Sequence, residues 1–161
     1  MKTRKLVTLA LLTTVAMMLS YVEAMLPSLG VPGVKMGLAN IVVIFALYRF
    51  GAKDAALISI LRVLLNGLLF TNPSAVVYSL AGAVLSLLGM ILLKRLDVFS
   101  SVGVSVAGGV MHNAGQILMA VILMGTAQIA YYLPVLVITG TVTGVLIGLV
   151  SALVINRVKK I

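Results

Sequence analysis

Cysteine is absent from this chain, which excludes disulfides, thiolate metal sites, iron–sulfur clusters and cysteine nucleophiles. Histidine occurs once and carboxylates three times, leaving too few ligands for a structural zinc site. No glycine-rich phosphate-cradling loop is present, so any ATP hydrolysis belongs to another chain, and no cofactor is expected. Charge is also scarce. Only 9% of the 161 residues are charged and 62% are hydrophobic, for a mean hydropathy of +1.26. A soluble domain clothes its surface with about a quarter charged residues, so this chain cannot cover itself in water. In lipid, apolar residues face outward at no cost. Pro and Gly are scattered through the apolar runs, so residues 1–161 read as a single transmembrane domain.

What is present is a series of apolar stretches of helical length. They predict six spans, at Lys5–Leu26, Met36–Phe50, Asp54–Phe70, Pro73–Leu93, Val98–Met124 and Ile129–Asn156. A helix rises about 1.5 Å per residue and needs about 20 residues to cross. The second span is short, the third is at the lower limit, and Pro134 is placed to kink the sixth near its start. A cleavable signal peptide is the rival reading of the N-terminus, with Met1–Lys5 basic, Leu6–Leu19 as its core and a site near Val22-Glu23-Ala24. The length of the apolar run favours a span.

The formal charge of +9 invites a nucleic-acid reading, which requires a basic face on a soluble module. The positions instead mark span ends. Lys2, Arg4, Lys5, Arg49, Lys53, Lys94, Arg95, Arg157, Lys159 and Lys160, ten of the twelve basic residues, fall on one side of an alternating six-span arrangement. Basic residues accumulate in cytoplasmic loops, which predicts both termini inside and a multi-pass protein of the cell membrane. Nucleic acid is not an expected partner; membrane lipid is.

Small residues recur every four positions within the spans: Ala16, Ser20 and Ala24; Ser101, Ser105, Gly109 and Asn113; Gly140, Gly144, Gly148 and Ala152. Helices in lipid associate by close packing through such faces. Intramolecular packing is the simpler use of each face, and docking of a partner is the other. The nine Met read as gap filler, and Tyr131 and Tyr132 as interfacial anchors.

Polar residues inside apolar spans are costly and usually face a cavity or a partner. Arg62 sits mid-span with Asn66 one turn on. His112, Asn113 and Gln116 form a patch in span five, and His112 shares a face with Gln116. Glu23 lies near the outer end of span one, and Asn40 lies one turn into span two. With Lys35 from the preceding loop, these residues form a candidate site for a small-molecule ligand, open to the outside. The alternative is structural: Arg62 and Glu23 neutralise each other, and the amides cross-link helices. The first external loop contains Pro27, Gly30, Pro32 and Gly33 and almost no charge, as expected of a lid lining a cavity.

The runs Val31-Pro32-Gly33-Val34-Lys35-Met36-Gly37-Leu38-Ala39-Asn40 and His112-Asn113-Ala114-Gly115-Gln116 resemble the Gx transporter family, also labelled heptaprenyl diphosphate synthase component I. Leu61-Arg62-Val63-Leu64-Leu65-Asn66-Gly67 and Tyr131-Tyr132-Leu133-Pro134 extend the resemblance over essentially the whole chain. That family in turn resembles the S components of energy-coupling factor transporters. Those are six-helix proteins that bind a vitamin-like solute from outside and dock on a transmembrane coupling subunit driven by cytosolic ATPases. The resemblance implies an all-α six-helix bundle, a ligand pocket in the outer half and docking through small residues of the first helices. The S-component docking signature is Ala-x-x-x-Ala on helix one. Ala10 with Thr14 is the nearest match and departs from it; Ala16 and Ser20 are further small positions there.

The synthase label fits the residues poorly. Prenyl diphosphate synthesis needs paired Asp-rich motifs to hold Mg²⁺ on a diphosphate, and this chain has only Asp54 and Asp97, far apart. The expected role is that of a non-enzymatic binding subunit for a vitamin-like, flavin-like or isoprenoid-like solute. A membrane subunit or enzyme of prenyl diphosphate metabolism is the alternative.

Overall fold

A computed structural model describes residues 2–25, 37–70 and 73–158. The elements formed by the described residues are all helical: α1 (Lys2–Met25), α2 (Asn40–Arg49), α3 (Ala52–Phe70), α4 (Pro73–Leu96), α5 (Ser101–Met124), a 3₁₀ turn (Ala127–Tyr132) and α6 (Leu133–Val158).

Boundaries follow local chemistry. The second helix starts at Asn40 rather than the expected Met36, because Gly37 adopts φ +75° and a turn occupies Leu38–Ala39. The fifth starts at Ser101 rather than Val98, since the Ser100 side chain accepts a hydrogen bond from the Gly103 amide and caps it. It ends at Gly125, whose left-handed φ of 64° closes the C-terminus. Pro134, expected to kink the sixth helix near its start, lies in the first turn of α6, where a missing N–H is tolerated, and the 3₁₀ turn precedes that helix.

Four segments are long and apolar enough to cross a membrane: Thr3–Met25, Ser74–Leu96, Ser101–Met124 and Ala127–Val158. Helix α3 has 19 residues but carries Lys53, Asp54 and Arg62. Helix α2 has ten residues, about 15 Å at the helical rise and half a bilayer core. It is nonetheless central. Val42, Val43, Ile44, Ala46 and Leu47 are all buried, as expected of a helix apolar on every side. They join Ala16 of α1, Ala55 and Ile58 of α3, Leu87 and Met90 of α4, Val104 of α5 and Ile147 of α6 in the core. The outward surface is apolar too, with Leu6, Leu68, Leu88, Ile122 and Leu153 exposed, as suits lipid.

Contacts between helix ends show the chain alternating in direction. At one end, Lys5 of α1 pairs with Asp54 of α3 at 2.8 Å. There also Lys94 of α4 donates to the Leu47 carbonyl of α2 and lies 4.9 Å from the Tyr48 ring centroid. At the other end, Tyr21 of α1 meets Phe70 of α3 with ring centroids 5.2 Å apart. The described basic residues other than Arg62 thus gather at the ends that Lys5 and Lys94 mark.

Helix α5 packs extensively against both α4 and α6, while α1, α2 and α3 form a second group joined to it through α3–α4 and α2–α6 contacts. The expected small faces meet across α5 and α6. A Cβ on Gly109 would lie 2.6 Å from the Gly140 carbonyl oxygen, and one on Gly144 would lie 2.6 Å from the Val106 Cα. These faces pack within the bundle, close enough that any side chain would force the backbones apart.

Candidate functional site

Glu23 lies in the last turn of α1, half-buried and facing the start of α2. Its Oε1 accepts the Gly37 amide at 2.6 Å and its Oε2 accepts the Leu38 amide at 3.2 Å. The left-handed Gly37 followed by a turn turns successive N–H groups to one side, a concavity suited to an anion. The carboxylate fills it and ties the C-terminal end of α1 to the entry of α2.

One turn earlier on α1, Ser20 Oγ accepts from Arg62 Nη1 at 3.5 Å. Asn40, the first residue of α2, accepts from Arg62 Nη2 through Oδ1 at 3.4 Å. Arg62 therefore stands where α1, α2 and α3 converge, only 8% exposed, and its Nε has no partner. Glu23 interacts with it electrostatically, but the two do not form an ion pair. Lys5–Asp54 is the ion pair among the described residues. The structure thus brings Glu23, Asn40 and Arg62 together and adds Ser20, while the mutual neutralisation of Arg62 and Glu23 holds only at a distance. Asn66 follows one turn along α3, half-buried. Lys35 and the rest of the expected lid lie outside the described residues.

The span-five patch divides. Asn113 is buried and donates through Nδ2 to the Leu136 carbonyl of α6 at 2.7 Å. That bond ties α5 to α6 at the level of Gly109 and Gly140. His112 and Gln116 share the neighbouring face, as their spacing predicts, and lie over Gly82 of α4. A Cβ there would come within 3.0 Å of both side chains. Adjacent helical residues point about 100° apart, which is why Asn113 and His112 serve different interfaces.

The residues expected to dock a partner also separate. Ala10 and Thr14 are exposed on α1, and the Thr14 hydroxyl donates back to the Ala10 carbonyl at 3.0 Å. Ala16 is fully buried against α2 and α3, and Ser20 faces Arg62, so both lie inside the bundle rather than on a docking face. Ser20 is a member of the polar cluster that the sequence reading assigned elsewhere. Its position three residues before Glu23 puts both on one face of α1, which was the available signal.

The basic end holds a feature with no sequence signal. A cleft of about 430 Å³ is lined by Tyr48, Lys94, Asp97, Phe99, Ser100, Ser101, Ala152, Ile155 and Asn156. It is built from the ends of four helices far apart in the chain and lies away from Glu23 and Gly37. Among the described residues no group of three or more His, Cys, Asp or Glu is placed to hold a metal ion.

No curated protein and no solved structure gives a significant match to this chain. A family model does match it, over residues 12–154, which include Ser20, Glu23, Asn40, Arg62, His112 and Gln116. The chain belongs to the family described as heptaprenyl diphosphate synthase component I.

Proposed function

We propose that this protein is the substrate-binding membrane subunit of an energy-coupling-factor-type transporter. It crosses the bilayer six times with both termini in the cytoplasm and captures a small solute from outside. The observation that carries this reading is the polar cluster of Ser20, Glu23, Asn40 and Arg62, assembled from three helices around a buried cation. Intramembrane charge of this kind marks ligand and ion sites far more often than it stabilises a fold. The clustering of basic residues at the opposite ends of the helices supports an outward-facing site.

The chain acts as a binder and not as an enzyme, and its energy comes from a coupling subunit with cytosolic ATPases. Ala10 and Thr14 support docking through α1: both are exposed and small, and the hydroxyl is internally bonded, so a partner helix can approach closely. Co-expression with a coupling subunit and its ATPases tests the reading. The complex is expected to co-purify and to hydrolyse ATP, and Ala10→Leu with Thr14→Leu is expected to reduce recovery of the partner. Active uptake by the reconstituted chain alone would overturn it.

The family description favours a second reading, a membrane component of prenyl diphosphate synthesis. Against it stands the placement of the acidic residues. Asp54 is paired with Lys5, and Asp97 lies in the α4–α5 link, so neither belongs to a paired Asp-rich motif. Formation of a prenyl diphosphate that depends on this chain would establish the second reading.

A further inference from the structure

Arg62 is buried in the middle of α3 with a poor set of partners. A guanidinium carries five N–H donors, and the described residues offer it two acceptors, Ser20 Oγ at 3.5 Å and Asn40 Oδ1 at 3.4 Å. Both contacts exceed the usual length of an N–H···O bond, and both acceptors are neutral. Nε is buried and bonds to nothing.

The chain holds three carboxylates, and none is a close counterion for this group. Glu23 is the nearest to act on it, yet both its oxygens are engaged by the Gly37 and Leu38 amides. Asp54 pairs with Lys5 at the basic end, and Asp97 follows α4 at that same end. A buried cation without a close counterion is among the most costly arrangements in a protein, and such groups persist chiefly where they serve a ligand.

We infer that Arg62 anchors an anionic group of the solute, a carboxylate or a phosphate, with Nε and one Nη forming the two-pronged contact. Planar anions accept such paired N–H bonds from arginine, and the free Nε edge is the one left available. Ser20 and Asn40 hold the guanidinium by its Nη groups and so fix the direction of that edge. Glu23 is a positioning residue: by filling the amide concavity at Gly37 it stays off the guanidinium and leaves it free for the solute. The inference rests on the transporter reading of the same site and adds the class of solute.

The test compares the wild type with Arg62→Met and Arg62→Lys in neutral detergent. Thermal unfolding is followed against increasing inorganic phosphate, acetate or chloride at constant ionic strength. The wild type is expected to show a saturable rise in Tm with phosphate or acetate and none with chloride. Arg62→Met is expected to lose that rise and to unfold at a higher temperature than the wild type in chloride, because the uncompensated charge is gone. Arg62→Lys keeps the charge but not the planar fork, and its rise is expected to need more anion.

An Arg62→Met protein that is less stable than the wild type in chloride, or that does not fold, would show a structural cross-link and overturn the inference. So would a rise that survives in Arg62→Met, or a wild type that does not distinguish the anions. Repetition in phosphatidylcholine nanodiscs with and without phosphatidylglycerol separates a solute from a lipid. Suppression of the phosphate response by phosphatidylglycerol would assign the guanidinium to a headgroup and overturn the solute assignment. Coupled ATP hydrolysis is read in a separate assay, so this inference and the transporter reading fail independently.

Discussion

Glu23 and Lys94 are charged residues with opposite surroundings and a similar task. Glu23 accepts two backbone amides at the entry of α2, and Lys94 donates to a carbonyl in its last turn, so the short central helix is held at both ends by side chains from its neighbours. Each charge has the sign that complements the helix dipole at the end it meets. Hydrogen bonds to charged groups contribute about 1.5–3 kcal/mol each. Glu23→Ala is therefore expected to lower the Tm in detergent and to speed hydrogen exchange at the Gly37 and Leu38 amides. Glu23→Gln, which keeps one acceptor, is expected to fall between. An exchange rate unchanged in Glu23→Ala would show that the entry of α2 does not depend on this carboxylate. Lys94→Met removes both the bond to Leu47 and the cation over Tyr48, the latter contributing about 0.5–1 kcal/mol at a partly exposed site. Its Tm should fall as well, and should recover partly in Lys94→Arg.

At the scale of elements, the α5–α6 pair depends on the absence of side chains. Gly109, Gly140 and Gly144 each meet opposing atoms within 3 Å of where a Cβ would stand. Gly103, on the same helix as Gly109, has its nearest neighbour at 3.4 Å, the ring of Phe99, an ordinary van der Waals distance. Alanine favours helix over glycine by about 1 kcal/mol, so the two positions should respond with opposite sign. Gly109→Ala is expected to destabilise the protein, and Gly103→Ala to leave the Tm unchanged or raised. Equal tolerance at both, measured by thermal unfolding, would mean that the helices are not held at this separation. The same interface accounts for Asn113. The bond from its Nδ2 to the Leu136 carbonyl passes beside Gly140, a polar cross-link of the kind worth about 0.6 kcal/mol in membrane bundles.

For the whole molecule the open quantity is the number and direction of crossings. Four segments meet the requirement for spanning by themselves. Helix α2 is too short to do so and is shielded from lipid by the helices around it. Lys5–Asp54 and Tyr21–Phe70 set α1 and α3 in one direction, and Lys94–Leu47 sets α2 and α4 in one direction. Since the chain has no cysteine, labelling is free of background. Cysteine at Val98, exposed in the α4–α5 link, is expected to be protected from an impermeant thiol reagent added outside cells. Cysteine at Gln128, exposed in the 3₁₀ turn, is expected to react. The reverse pattern would invert the topology and turn the Arg62 cluster toward the cytoplasm.

Sequence by itself determined that the chain is helical and suited to lipid, because composition and the length of apolar runs act without reference to neighbours. It also located the helices to within a few residues, and the small faces, since both are periodic along one strand of sequence. It could not reveal that the shortest helix is the most buried, because ten apolar residues look alike whether lipid or protein surrounds them. Nor could it decide the partners of the polar residues. His112 and Asn113 are adjacent yet serve α4 and α6, and Ser20 belongs with Arg62, 42 positions away. Only the tertiary structure decided that Glu23 is held by backbone amides rather than by Arg62. A carboxylate bonds to whichever donors reach it, and it was the left-handed turn at Gly37 that brought those amides within reach.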